Sequence, residues 1–210
     1  MSPPTLRVCV FCSSSEEVDL RYRQVAAQLG TALAGAGWEL VYGGGNLGLM
    51  GEVARAALAG GARVTGVIPE RLATREIALH DVTELIRTDT MRERKALMDD
   101  RSDAFVVLPG GIGTLEELVE ILTLKQLGYH HRAIVVLDAD GYWDPLLTQV
   151  DRMVDERLAA SSLRELWEVV PDVAGAMAAL ARYRPPPPAP PSAELELETL
   201  PAPQKTPTGG

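Results

Sequence analysis

The chain has 210 residues, 46% of them hydrophobic and 23% charged, and a formal net charge of -9. This length predicts one sizeable α/β domain rather than two. The acidic balance argues against a surface for nucleic acid or anionic membranes, because such surfaces need clustered Lys and Arg and no such run occurs.

Neither targeting nor metal chemistry is indicated. No apolar stretch approaches the roughly 20 residues that span a bilayer, and residues 1–5 lack the charged and apolar regions of a signal peptide. We therefore expect a cytoplasmic protein. Cys9 and Cys12 form a C-x-x-C within and just after the first apolar run, whereas redox pairs of this spacing open a helix, so we interpret them as ordinary thiols. No second pair and no helical His-x-x-x-His accompanies them, so we expect no metal site.

Strand and helix patterns alternate along the chain. Apolar runs rich in β-forming residues predict strands at 6–11, 39–42, 63–68, 82–86, 104–108 and 133–137, with a further element at 166–170. Helical spacing predicts helices at 22–36, 54–58, 90–100, 115–127 and 145–158, and one that Asp172 caps and that runs to Ala181. Pro69 is expected to stop the third strand, and residues 69–80 are expected to form a loop.

This alternation predicts the fold class and the domain organisation. Strands that are mostly unbroken apolar runs, separated by helices, indicate a parallel sheet covered on both faces. We expect one nucleotide-binding domain over residues 1–184. From 185 to 210 the chain is proline-rich and acidic, which predicts a disordered or polyproline tail. We interpret the tail as a solubilising appendage in preference to a proline-rich ligand.

The most informative stretch is the glycine turn, residues 109–114, which reads Pro-Gly-Gly-Ile-Gly-Thr between a predicted strand and a predicted helix. Such a turn brings backbone N–H groups and the positive end of a helix dipole to one point, which suits a phosphate. The alternative is a tight connection whose glycines only permit positive φ. Three glycines within five residues, directly after a strand, favour phosphate binding.

A second glycine run, residues 43–51, satisfies the dinucleotide fingerprint G-x-G-x-x-G at 43–48. It follows the second strand rather than the first, and the next strand is followed by an acid only at Glu70, so binding of NAD(P) or FAD is the less favoured interpretation. The run also lacks the lysine of a P-loop. We interpret it, with Gly44 and Gly45, as a second backbone surface that closes over a mononucleotide at the carboxyl end of the sheet.

Glu117 has two interpretations. Thr114 and Glu117 match the capping box T-x-x-E, in which the acid bonds back to the cap residue. An acid one step from a phosphate site can instead point towards the sugar of a ligand, with Glu120 as a second or a solvated carboxylate. The charged residues 91–95 would by default form a solvated helix face. Their helix immediately precedes the glycine turn, which also places its first turn at the ligand-binding edge.

Together these motifs resemble the LONELY GUY (LOG) family. The resemblance rests on Tyr42-Gly43-Gly44-Gly45 with Gly48-Leu49-Met50-Gly51, Arg75-Glu76-Ile77, Met91-x-x-Arg94-Lys95, Pro109-Gly110-Gly111-x-Gly113-Thr114-x-x-Glu117 and Gln126-Leu127-Gly128. It spans residues 7–181 in the right order. The chain departs from the family at Arg92, where a His is common, and at Ser13, where a Gly is common.

The resemblance implies a Rossmann-like homodimer that hydrolyses the N-glycosidic bond of an N6-modified AMP without a cofactor, releasing the free base, an active cytokinin, and ribose 5-phosphate. The family's catalytic arginine and glutamate match Arg94 and Glu117. Its substrate contacts match Gly44, Gly45, Glu76, Met91, Lys95, Gly110, Gly111, Gly113 and Thr114. Cleaving C1'–N9 builds positive charge on the ribose, so Glu117 could stabilise that charge, attack it or activate water. Arg94 could orient Glu117 or bind the ribose hydroxyls or the phosphate.

Other functions are weighed against this one. Members of the family are often mislabelled lysine decarboxylases, but pyridoxal phosphate enzymes need a Schiff-base lysine. The chain has only Lys95, Lys125 and Lys205, none of which suits that role. The main alternative is a non-catalytic nucleotide or cofactor carrier that uses the same glycine turn. A third interpretation, a dehydrogenase, requires NAD(P).

Overall fold

A computed structural model describes residues 5–73 and 78–184 of the chain. The strands are β1 (Arg7–Phe11), β2 (Glu39–Tyr42), β3 (Val64–Pro69), β4 (Glu84–Thr88), β5 (Ala104–Val107), β6 (Ala133–Leu137) and β7 (Glu168–Val170). The helices are α1 (Leu20–Gly35), α2 (Gly48–Ala59), α3 (Glu70–Ala73), α4 (Met91–Asp100), α5 (Ile112–Gln126), α6 (Asp144–Asp155) and α7 (Val173–Arg182).

The described strands form one seven-stranded sheet in the order β4-β3-β2-β1-β5-β6-β7, with every pair parallel. The chain moves outward from β1 to β4 and returns to place β5 on the other side of β1. Loops that leave β1 and β5 therefore diverge at a switch point, where open α/β sheets bind ligands. This confirms the predicted Rossmann-like α/β fold.

Helices cover both faces of the sheet, and β1 shows why its sequence is an unbroken apolar run. Val8 and Val10 pack in one core with α1, α2 and α7, whereas Cys9 and Phe11 pack in the other core with α4 and α5. Alternate side chains of a strand point to opposite faces, so a strand that is covered on both sides needs apolar residues throughout.

The second glycine run is partly helical, contrary to prediction, because α2 begins at Gly48 rather than at Ala54. Two glycines are required there by close backbone approaches. A Cβ on Gly48 would lie 2.5 Å from the carbonyl oxygen of Ser15, and a Cβ on Gly51 would lie 1.9 Å from that of Asn46. Gly48 lets the start of α2 pack against the loop that follows β1, and Gly51 lets it pack against the segment that leads into the helix.

The predicted capping box of Thr114 and Glu117 is wrong. Helix α5 begins at Ile112 with Gly111 as its N-cap residue, so Thr114 is already inside the first turn and is buried. The capping box lies instead on α4, where Thr90 Oγ1 accepts the N–H of Glu93 and the Glu93 carboxylate accepts the N–H of Thr90. Glu117 is therefore free of the cap role.

Smaller differences concern boundaries. Pro69 is expected to follow β3, but it is the last residue of the strand and pairs with Thr88. A proline can end a strand because its backbone can be extended and its carbonyl oxygen still accepts a hydrogen bond. The predicted loop 69–80 contains the single turn α3, and β4 lies two residues later than predicted because its register is set by pairing with β3. Helix α6 ends at Asp155 since Arg157 adopts a φ of 63°.

Some predictions fall outside the described residues: those on Glu76 and its neighbours Arg75 and Ile77, and those on the tail 185–210. The helix capped by Asp172 is confirmed, with its carboxylate accepting the N–H of Gly175. Within the described ranges no helix has both the length and the apolar character needed to cross a bilayer.

Candidate active site

A cavity of about 510 Å³ opens at the carboxyl end of the sheet, over the switch point between β1 and β5. Its lining comes from the loop after β1, the second glycine run, the first turns of α3 and α4, and the glycine turn with the start of α5. The lining residues are Cys12, Ser13, Ser14, Ser15, Gly43, Gly45, Met50, Ile68, Leu72, Met91, Arg94, Gly111, Ile112, Gly113, Thr114, Glu116 and Glu117.

Arg94 and Glu117 form a buried ion pair in the wall of this cavity. Arg94 Nη1 donates to Glu117 Oε1 at 2.8 Å, and each residue is only 5% exposed. Arg94 Nε also donates to the carbonyl oxygen of Val67 at 3.1 Å. The guanidinium is therefore fixed at two points, one on α5 and one on β3, and it fixes the direction of the Glu117 carboxylate in turn.

The sequence positions Arg94 through its helix and a neighbouring glycine. The capping box at Thr90 and Glu93 defines where α4 begins, which sets Arg94 in its first turn. Gly43, just after β2, leaves room for the guanidinium, because a Cβ there would lie 2.0 Å from Arg94 Nη2. Arg94 is thus enclosed by the residue after β2, by β3 and by α5.

The surroundings change the proton affinity of Glu117. Burial raises the pKa of Glu117 above its ordinary value of 4.5, while the positive charge and hydrogen bond of Arg94 act in the opposite direction. Burial disfavours the charged form of a carboxyl group and a nearby cation favours it. An oriented carboxylate whose pKa exceeds 4.5 is suited to acid–base or electrostatic work on a bound ligand.

The glycine turn leaves the N-terminus of α5 open towards the cavity. The N-cap residue Gly111 makes no side-chain cap bond, so first-turn N–H groups remain for a ligand. Gly110 packs on the Thr114 side chain, where a Cβ would lie 2.1 Å from Oγ1. No atom lies within 4 Å of a Cβ built on Gly111 or Gly113, and both residues line the cavity. This is the arrangement that binds anions at helix N-termini.

The second glycine run meets the same cavity. Gly45 lines it together with Gly43, whereas Gly44 lies behind them at a φ of 75°, with its Cα side against Ile68 and Val67. The structure therefore brings the two glycine runs together, as predicted from their common position after strands. Gly43 packs against Arg94, and Gly48 packs against the loop after β1. These contacts explain why glycine occupies both positions, so the match to the fingerprint does not require a bound dinucleotide.

The remaining predicted residues are divided between the cavity and a neighbouring groove. Met91 lines the cavity and is 48% exposed. Lys95 lies in the groove between α4 and α5, where its ammonium pairs with Glu116 and with Glu120, the latter at 3.0 Å. Glu120 is thus a solvated partner of Lys95. In residues 5–73 and 78–184 no cluster of His, Cys, Asp or Glu could hold a metal ion.

Sequence reasoning missed part of the lining. Ser14 and Ser15 follow β1 and lie in the cavity with Ser13, whose N–H donates to the carbonyl oxygen of Pro109 at 3.3 Å. The signal for this loop is its position directly after the first strand. It becomes informative only once β5 is known to lie beside β1, because that pairing brings residue 13 to the glycine turn.

Comparison with known proteins decides the family. A family model described as possible lysine decarboxylase matches residues 50–180. A probable cytokinin riboside 5'-monophosphate phosphoribohydrolase from Oryza sativa subsp. japonica is 48% identical over 179 residues, 85% of this chain and 79% of the relative. A cytokinin riboside 5'-monophosphate phosphoribohydrolase from Mycobacterium tuberculosis is 46% identical, covering 83% of this chain and 92% of the relative. The chain belongs to the LONELY GUY (LOG) family.

Solved structures place the LOG chain in a wider fold group. The Moco carrier protein from Chlamydomonas reinhardtii superposes with a TM-score of 0.65 and 25% identity, covering 85% of this chain and 96% of the carrier. The likeness extends over most of the chain and supports the fold.

Of the two departures from the LOG pattern, only one touches the cavity. Ser13 lines it, and its Oγ accepts the N–H of Ser15 at 3.1 Å, which shapes the loop after β1. Arg92 lies in the neighbouring groove with Lys95. Among the described residues, neither Ser13 nor Arg92 forms a hydrogen bond to Arg94 or Glu117. The two departures therefore leave the Arg94–Glu117 pair unchanged.

Proposed function

We propose that this LOG protein hydrolyses the N-glycosidic bond of N6-modified adenosine 5'-monophosphates to the free base and ribose 5-phosphate. The observation that carries the proposal is the buried Arg94–Glu117 pair in one cavity with the uncapped N-terminus of α5. Relatives that are 46–48% identical and carry the name cytokinin riboside 5'-monophosphate phosphoribohydrolase support it.

The glycine turn binds the 5'-phosphate. The first-turn N–H groups of α5 around Gly111 and Gly113 donate to the phosphate oxygens, and the dipole of a 15-residue helix favours the negative charge. Thr114 also lines the cavity, and its side chain packs against Gly110. Because phosphate and sugar are joined by one short link, this anchor holds the ribose next to Glu117.

Glu117 acts on the anomeric carbon. As the C1'–N9 bond breaks, the bonding electrons leave with the base, and positive charge grows on C1' and the ring oxygen. The Glu117 carboxylate stabilises that charge, and water then adds to C1'. The proton that this water loses balances the proton taken up by the departing base, so that one water is consumed for each base and ribose 5-phosphate released. Arg94 binds Oε1 and keeps the carboxylate ionised and oriented.

The apolar part of the lining receives the base. Ile68, Leu72 and Met91 form a hydrophobic wall of the cavity. A hydrophobic substituent at N6 gains by leaving water for such a wall, at about 25 cal/mol for each Å² of apolar surface buried. We therefore propose that N6-alkylated AMP binds more tightly than AMP itself.

A lysine decarboxylase, the description carried by the family model, is not favoured by the lysines. Lys95 is engaged by Glu116 and Glu120 outside the cavity. Lys125 lies in a separate groove formed by the far end of α5, β6 and α7. Burial lowers the pKa of Lys125, but the phosphate site at the start of α5 is at the other end of its helix.

The main alternative function is a non-catalytic carrier, which the likeness to the Moco carrier protein favours. The proposal is tested by incubating the protein with AMP and with N6-isopentenyl-AMP and separating the products by chromatography. Release of free base and ribose 5-phosphate in equal amounts is expected. Binding of either nucleotide by calorimetry without release of base would establish the carrier and overturn the hydrolase.

We also propose that the protein is a cytoplasmic homodimer. Ile112 and Val119 on α5 and Leu127 at its C-cap recur at helical spacing along one side, and they are 83%, 48% and 66% exposed. A row of exposed apolar side chains on one helix is typical of a surface that is covered by a partner. A second copy of the chain is the partner that the family resemblance implies.

A further inference from the structure

We propose that Tyr142 is a positioning residue for phosphate binding: its hydroxyl holds the peptide between Gly110 and Gly111 in the orientation that presents the Gly111 N–H to the 5'-phosphate. The inference rests on the proposed function of the cavity and extends it to a residue outside the lining. Tyr142 lies in the loop between β6 and α6, 32 positions beyond Gly110.

The contact is a single directed hydrogen bond. The Tyr142 hydroxyl donates to the carbonyl oxygen of Gly110 at 2.5 Å. Gly110 has no side chain of its own to fix its peptide, and its Cα is held on one side by Thr114. The bond from Tyr142 therefore supplies a constraint on the turn from outside it.

Peptide geometry carries this constraint to the ligand. In a planar trans peptide the C=O and the N–H of the next residue point in opposite directions, and the described residues contain no cis peptide. Tyr142 holds the oxygen of Gly110, so the N–H of Gly111 is directed away from Tyr142. Gly111 lines the cavity and makes no side-chain cap bond. A rotation of this peptide would remove one N–H donor from the phosphate site.

Tyr142 is itself held rigidly. Its ring packs edge-on against Tyr22 of α1, with ring centroids 5.7 Å apart, and against Trp143 at 4.9 Å. The backbone N–H of Trp143 donates to Asp138 Oδ1 at 2.6 Å, which closes the loop after β6. Edge-to-face contacts of this kind fix ring orientation.

A second link ties the same loop to α1. Asp140 adopts a φ of 56°, and its carboxylate accepts a hydrogen bond from Arg21 at 3.2 Å. The Arg21 guanidinium also lies over the Tyr22 ring, 4.6 Å from its centroid. Left-handed backbone at a residue other than glycine is uncommon and is kept where surrounding contacts require it. The aromatic ring of Tyr142 is thereby anchored from two directions.

The test is Tyr142→Phe, which removes only the hydroxyl. Isothermal titration calorimetry is run with the two products, ribose 5-phosphate and adenine, neither of which needs turnover. We expect the dissociation constant of ribose 5-phosphate to rise about three- to tenfold, the range for loss of one hydrogen bond, and that of adenine to stay unchanged. With N6-isopentenyl-AMP as substrate, KM should rise by the same factor and kcat should change by less than about twofold.

Tyr129→Phe is the matched control, because Tyr129 is 77% exposed in the loop after α5 and lies outside the cavity lining. Unchanged binding of ribose 5-phosphate by Tyr142→Phe would overturn the proposal, and so would an equal loss of affinity for adenine, which would indicate a general structural role. The proposed hydrolase activity fails independently of this test, because the wild-type protein would then release no base. The calorimetric comparison of ribose 5-phosphate with adenine would still decide the role of Tyr142.

Discussion

At the scale of single residues, burial of the Arg94–Glu117 pair costs desolvation free energy, and its hydrogen bonds fix the direction of both side chains. Burying two charges is expensive, and their attraction repays it only when the geometry and further hydrogen bonds are good. Here Nη1 binds Glu117 and Nε binds Val67 O. Breaking such a pair by removing one partner typically costs about 3–5 kcal/mol. A buried ion pair of this kind is weak evidence for stability. We therefore interpret the Arg94–Glu117 pair as serving the binding or conversion of a ligand.

Glu117→Gln should lower kcat by about 10²–10⁴-fold, the range for a charged group that takes part in the chemical step. The amide has the same shape but cannot stabilise positive charge at C1'. Turnover of N6-isopentenyl-AMP measures the effect, with circular dichroism to establish that the variant is folded.

Glu120→Gln is the control on the same helix, since Glu120 pairs with Lys95 outside the cavity. It should keep wild-type turnover. Activity of Glu117→Gln within about tenfold of wild type would reduce Glu117 to a structural partner of Arg94, because a catalytic carboxylate contributes more than that.

The pH dependence follows from the raised pKa of Glu117. Only the ionised carboxylate is active, so kcat/KM should fall as the pH decreases through this pKa. Because burial raises the pKa above 4.5, against the opposing effect of Arg94, the acidic limb should lie above pH 4.5. A pH–rate profile measures it. An acidic limb at or below 4.5, with the protein still folded, would contradict the assignment.

At the scale of elements, the site is made by strand ends and helix starts that approach closely. Gly43 follows β2 and lies against the Arg94 guanidinium of α4, and Gly48 starts α2 against the loop after β1. Helix α4 has a complete capping box, whereas α5 has none. We propose that the difference is functional: a defined start of α4 places Arg94, and an uncapped α5 leaves its first N–H groups available to the phosphate.

Gly43→Ala should abolish most activity without changing a catalytic residue. Its Cβ would lie 2.0 Å from Arg94 Nη2, so the guanidinium must move, and a displacement of about 1 Å can cost roughly 100-fold in rate. Gly43 does not have a positive φ, so the backbone itself accepts alanine.

Steady-state kinetics together with thermal unfolding test this prediction. Gly35→Ala at the end of α1 is the control, because a Cβ there has no atom within 4 Å. A Gly43→Ala variant with wild-type kcat/KM would show that the position of the guanidinium is not critical.

At the scale of the whole molecule, the proposed homodimer has a direct test. Sedimentation equilibrium should give twice the chain mass of 22.6 kDa. Val119→Asp should shift the mass to that of one chain, because it places a charge within the exposed apolar row of α5. Thr148→Asp, at an exposed position of α6, should leave the dimer intact. A wild-type protein that sediments as a single chain would contradict the proposal.

Much of the fold was predictable, and the errors have a common cause. Strand and helix assignments rest on local periodicity, which is strong in runs such as 104–108 and 133–137, and these matched to within a residue. The predicted starts of α2 and α5 lie later than the observed ones, because glycines in a sequence usually indicate a loop. In α2 close backbone contacts require Gly48 and Gly51, and in α5 Gly113 lies inside the first turn and borders the cavity.

The sequence by itself determined the parallel α/β fold, the glycine turn before α5 and the motifs that identify the LOG family. These depend on patterns within a few residues or on order along the chain. The tertiary structure alone decided that β5 lies beside β1, that Glu117 pairs with Arg94 rather than with a cap, and that Tyr142 reaches Gly110. The physical reason is that sheet order joins segments far apart in sequence, and no local periodicity records which strands become neighbours.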